Sequence, residues 1–141
     1  LACFSAGMVL GSFVVTRLRA VPRWKLLIAG IALDGVTFFP FEYVAGVPAL
    51  LAAIFLHATV VPLIVVVRPA ALQAHVPAER LGQVFALVNL AVFGFTALSA
   101  AGAGALLAAG MDPGRLFTWA GVGGILSGVL ALLLRPLRSL V

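Results

Sequence analysis

An all-α membrane protein is the fold class this sequence predicts, and three observations predict it. Only 9% of residues are charged against 64% hydrophobic, where an average soluble domain carries roughly 25% charged residues. Mean hydropathy is +1.25, so collapse in water would leave apolar patches of a size soluble monomers avoid. The basic residues gather in short clusters between apolar runs: Arg17, Arg19, Arg23 and Lys25, then Arg68 and Arg80, then Arg135 and Arg138. Membrane loops distribute their charge in this way.

A helix needs about 20 apolar residues to cross a bilayer. Five runs approach or reach that length, over residues 1–16, 26–41, 48–67, 81–110 and 116–134. The first is short. It begins inside an apolar run, with no Met and no basic segment before it, and reads as an internal start with no signal peptide. The second contains Asp34, and Pro40 marks its end. The third opens at Pro48 and carries His57 and Pro62, which predicts a kink in that span. The fourth is long enough to cross with tilt or a bend. The fifth follows the tight polar turn "GMDPGR".

Residues 68–80, "RPAALQAHVPAER", read as the connection between the third and fourth spans. Pro77 suits the first helical position, where a missing N–H costs nothing. Glu79 falls in the first turn, where the helix dipole favours an acid. The connections around Arg17–Lys25 and 68–80 and the tail "RPLRSLV" are basic, while those around Glu42 and Asp112 carry only Arg115. Basic loops stay in the cytoplasm. The consistent arrangement has five alternating spans, a cytoplasmic C-terminus and a chain that starts at the outer side.

The net charge of +5 does not point to nucleic acid, because the basic residues form no face or stripe. A single cysteine, Cys3, forms no internal disulfide. "GAGALLAAG" and "GVGG" look like phosphate loops but lie inside apolar spans, follow no strand and lack a Lys. No enzyme motif and no cofactor is implied. The spacing of Gly7 with Gly11 and of Gly124 with Gly128 is the four-residue spacing that lets helices approach closely. The Arg-, Ala-, Gly- and Leu-rich composition points to a bacterial source.

Two stretches carry a family resemblance. "QAHVPAERLGQVFAL" resembles the cytoplasmic loop before the eleventh helix of major facilitator superfamily transporters, through Gln73, Pro77, Glu79, Arg80, Gly82, Val84 and Phe85. "GSFVVTRLRAVPRWKLL" is similar to the loop between that family's eighth and ninth helices, with Gly11 before a basic cluster that includes Arg17 and Arg19. The usual acid of that loop is missing, Val15 or Thr16 occupying the region. The resemblance covers essentially the whole chain as helices eight to twelve, part of the C-terminal six-helix bundle of a twelve-helix secondary transporter. Within the family it looks closest to bacterial drug and siderophore exporters. It implies alternating access, a bacterial inner-membrane location, proton coupling and a gating role for the loop residues Arg17, Arg19, Glu79 and Arg80. The partners implied are the lipid bilayer, a small-molecule substrate and the missing N-terminal helices of the same transporter.

Polar residues inside the spans are the candidate site. Asp34 lies nine residues from Lys25 and Asn89 nine from Arg80, each about 13 Å above the inner edge; His57 lies about 16 Å above it. An ionised Asp at that depth costs about 2.5–3.5 kcal/mol on insertion scales, so such residues face a bundle or a wet cavity. The expectation is that Asp34 and His57 form a proton-responsive pair while Asn89 orients substrate. The plainer alternative is that Asp34 is neutral, or bonded locally, and only fixes packing. Asn89, Phe93 and Thr96 recur at helical spacing on one face, which suits an amphipathic organic substrate or packing against another helix. The competing functional expectations are a multi-pass membrane protein without transport activity, such as a sensor or assembly partner, and an inactive truncated fragment.

Overall fold

The computed structural model describes residues 1–133 and contains helices and turns, with no strand among the described residues. In chain order the elements are α1 (Ala2–Arg17), α2 (Arg23–Phe38), a 3-10 turn (Phe39–Tyr43), α3 (Val47–Val60), α4 (Pro62–Val65), α5 (Val67–His75), α6 (Ala78–Ala108) and α7 (Pro113–Leu133). Four continuous helical stretches are long and apolar enough to cross a membrane: Arg23–Tyr43, Val47–His75, Ala78–Ala108 and Pro113–Leu133. The first apolar run forms a helix of 16 residues, about 24 Å of rise against a hydrocarbon core of about 30 Å. The end of the expected fifth span at residue 134 and the basic tail 135–141 lie outside the described residues.

Turn chemistry sets where the helices begin and end. Gly110 has φ +90° and closes α6. Its N–H donates to the Leu107 carbonyl and the Met111 N–H to the Leu106 carbonyl, both at 3.0 Å. This is the Schellman pattern, which needs a left-handed residue after the cap and so favours glycine. Two residues later Asp112 caps α7: its Oδ2 accepts from the Arg115 N–H at 3.2 Å. Pro113 takes the first helical position, where no N–H is missed. Gly46, at φ +87°, gives the sharp entry into α3.

The third span differs from its sequence-based bounds. Pro62 has no N–H to give to the Ala58 carbonyl, and the helix is interrupted at Val61 and again at Val66. The chain nevertheless keeps helical dihedrals through both and continues as α5 to His75. Residues 68–75, expected as connection, are therefore helix. Arg68 and Gln73 end the apolar character of the span without ending its hydrogen bonding, and Pro69 sits in the first turn of α5, where its missing N–H is harmless. The connection reduces to Val76 and Pro77. Pro77 is the residue just before α6 (φ −54°, ψ 141°) rather than its first helical residue, and Glu79 is in the first turn.

Two close helix pairs build the packed part of the molecule. An added Cβ on Gly7 would stand 2.6 Å from the Phe55 carbonyl oxygen, and one on Gly11 would clash with that of Thr59. Gly7 and Gly11 are thus the residues at which α1 meets α3 backbone to backbone. The same holds for Gly35, Gly121, Gly124 and Gly128 between α2 and α7, where Gly128 abuts Ala32. In lipid, where water supplies no drive between helices, such close packing is what holds them together. The fully buried Pro62 wedges against Gly11. α6 stands apart: none of its residues is buried.

The connections fall at two ends of the bundle. Arg23 at the start of α2 donates from its guanidinium to the Ala70 carbonyl of α5 at 2.9 Å, joining the two basic connections. At the other end Glu42 on the 3-10 turn accepts a hydrogen bond from Thr118 of α7, and Gly114 lies against the Glu42 backbone. The two acidic connections meet there.

Candidate functional site

Asp34, Thr37 and Phe38 follow one another at i, i+3 and i+4 on α2, so they share one face of that helix. His57 on α3 lies opposite. Its Nδ1 is 3.5 Å from Oδ1 of Asp34 and 2.9 Å from Oγ1 of Thr37. Thr37 is buried, and its hydroxyl also bonds the Asp34 carbonyl oxygen at 2.7 Å. Asp34 Oδ1 is buried with no hydrogen-bond partner. At 3.5 Å its relation to the imidazole is charge contact rather than hydrogen bond. Among the described residues this is the one acid–base side-chain pair within ion-pair distance.

Aromatic rings close the site on the side of the acidic connections. The His57 ring packs against Phe38 with centroids 4.8 Å apart and edge-on to Phe41 at 6.3 Å. Phe117 of α7 stacks on both, at 6.2 Å from Phe38 and 5.0 Å from Phe41. Just beyond them the Glu42–Thr118 bond ties the 3-10 turn to α7. An imidazole, a carboxylate and a hydroxyl are thus held among apolar walls, where electrostatic contacts are strong and unpaired polar atoms costly. Such a group can take up or release a proton and change how α2 and α3 attract one another.

Phe38 and Phe117 also form one wall of a cleft of about 620 Å³, whose opposite wall is Thr96, Ser99, Ala100 and Ala103 of α6. Its two hydroxyls are spent on their own helix, Thr96 on the Val92 carbonyl at 2.7 Å and Ser99 on that of Thr96 at 2.9 Å. The cleft therefore presents an apolar lining of small side chains facing aromatic rings.

The candidates from sequence are brought together in part. Asp34 and His57 meet. Thr96 lines the cleft, and Asn89 and Phe93 do not; both are exposed on α6. Arg17, Arg19, Glu79 and Arg80 are exposed, with the Arg17 guanidinium 4.7 Å from the centroid of the Phe13 ring. Thr37, Phe38, Phe41, Phe117, Glu42 and Thr118 were not among the sequence candidates. Thr37 and Phe38 carried a signal, their spacing from Asp34. Thr118 carried none, since 76 residues separate it from Glu42. No group of three or more metal-ligating side chains occurs among the described residues. No protein-family model, curated protein or solved structure matches this chain.

Proposed function

We propose that this chain is part of a secondary transporter of the major facilitator type, in a bacterial inner membrane with its C-terminus in the cytoplasm. It moves a small organic molecule, outward, by alternating access coupled to protons. Asp34 and His57 carry the proton. The cleft between α6 and the α2–α7 pair receives the apolar part of the substrate, and the bundle is completed by the transporter's preceding helices. The observation that carries this reading is the contact between a carboxylate oxygen that has no hydrogen bond and an imidazole, both inside apolar helical stretches. Ionisable groups in spans are expensive and mark ion and substrate pathways, and transporters place such sites near the bilayer middle. The grouping of basic connections at one end and acidic ones at the other supports the orientation, since basic loops stay inside.

The test is transport of hydrophobic organic cations and neutral dyes in proteoliposomes holding the full-length protein, with and without an imposed pH gradient. Asp34→Asn and His57→Gln each abolish gradient-driven accumulation while leaving ligand binding within a few-fold. Unchanged rates and unchanged pH dependence in both variants would remove the proton-relay role. A reading without transport, as a sensor or assembly partner, requires that both residues tolerate apolar replacement at full function.

A further inference from the structure

We propose that Thr37 sets the tautomer of His57: it holds the ring with its proton on Nδ1, leaving Nε2 as the nitrogen free to accept one. The proposal rests on the reading of Asp34 and His57 as a proton site and names how that site is tuned.

A threonine hydroxyl has one proton to give and two lone pairs to receive with. Behind Thr37 stands the Asp34 carbonyl oxygen, 2.7 Å away, which can only accept. With its proton committed there, Oγ1 faces Nδ1 at 2.9 Å as an acceptor, and the bond exists only if Nδ1 carries hydrogen. A second contact favours the same tautomer while Asp34 is ionised. Asp34 Oδ1 lies 3.5 Å from the same nitrogen, and a bare Nδ1 lone pair turned toward a carboxylate would be repelled. Both neighbours on α2 thus select Nδ1–H. In a neutral imidazole the other nitrogen is then the proton acceptor, and the bond at one nitrogen fixes the role of the other.

Among the described residues no other charge stands in for this pair. The elements packed against α3 are α1, α2, α4 and the 3-10 turn. α4 has no ionisable residue, and α2 offers Asp34 beside its N-terminal Arg23 and Lys25. On the 3-10 turn Glu42 is bonded to Thr118, while the neighbouring Tyr43 is exposed. On α1 Arg17 lies at the far end, and Cys3 is one turn from Gly7, the residue that abuts Ala58. Thr37 is thus a positioning residue that touches no substrate. It acts by deciding which face of the imidazole exchanges protons: the face turned away from Asp34.

The measurement is the nitrogen NMR spectrum of His57 in the full-length protein in nanodiscs, with histidine labelled and His75→Gln introduced so that His57 is the one histidine signal from this chain. At alkaline pH the neutral ring shows Nδ1 protonated and Nε2 bare, in an excess of about tenfold, the scale of one retained hydrogen bond. Thr37→Ser keeps that ratio and Thr37→Val shifts it severalfold toward Nε2–H. A proton on Nε2 in the unaltered protein, or a ring still doubly protonated at alkaline pH, overturns the proposal without any variant being made. Equal spectra for Thr37→Val and the parent overturn the role of Thr37. The tautomer is read without transport, so it stands or falls apart from the transport assay.

Discussion

Gly35 of α2 and Gly121 of α7 occupy each other's side-chain space: a Cβ on either would stand 2.7 Å from the other's carbonyl oxygen. The two backbones touch within one turn of Thr37 and Phe38, so the contact that holds α2 to α7 also fixes the height at which Asp34 and the aromatic rings sit. Gly35→Val forces the pair apart and costs about 1–3 kcal/mol, the range for overpacked sites. Gly123→Val, on α7 two residues from Gly121 but with nothing within 4 Å of its Cβ, leaves stability within error. Unfolding of both variants in mixed micelles of mild detergent and dodecyl sulfate reads the difference.

The Glu42–Thr118 bond joins two segments with no sequence proximity, and both groups are half-buried. A double-mutant cycle with Glu42→Gln and Thr118→Val gives a coupling of about 0.5–3 kcal/mol, as for side chains in direct contact. Additive effects would mean that the 3-10 turn and α7 are independent at this end.

Gly110 closes α6 with a left-handed backbone. Gly110→Ala costs about 1 kcal/mol, because an L side chain meets the following carbonyl in that conformation. Gly104→Ala, inside α6 with open space at its Cβ, is neutral or stabilising. Thermal stability of the two variants in the same detergent separates a conformational requirement from a general intolerance of substitution.

Which parts of this were legible in sequence follows from what each signal measures. Hydropathy reports where a helix leaves apolar surroundings, not where its hydrogen bonds stop. It therefore located the apolar helices but ended the third at Val67, eight residues before the helix ends at His75. Proline and glycine report backbone geometry directly, so Gly110, Pro113 and the break at Pro62 were readable or nearly so. Counting residues from a charged edge gives height in the membrane but not direction around the helix. That is why Asp34 and His57, on α2 and α3, meet, while Asn89 at a similar height stays exposed on α6. Thr37 was within reach, three residues from Asp34 on the same face. Phe117 and Thr118 come from the other end of the chain, and no local pattern could have joined them to Phe41 and Glu42.

Opposite placement of the two kinds of connection is most directly tested by labelling single cysteines with a membrane-impermeant thiol reagent. The background is the full-length protein with its native cysteines, Cys3 among them, changed to Ser. In intact cells a cysteine at Tyr43 or Asp112 reacts, and one at Arg19 or Glu79 reacts only after the membrane is opened. Equal reaction at all four sites in intact cells, or a protein that remains dissolved when detergent is removed, would contradict the membrane-crossing arrangement on which the proposed proton site depends.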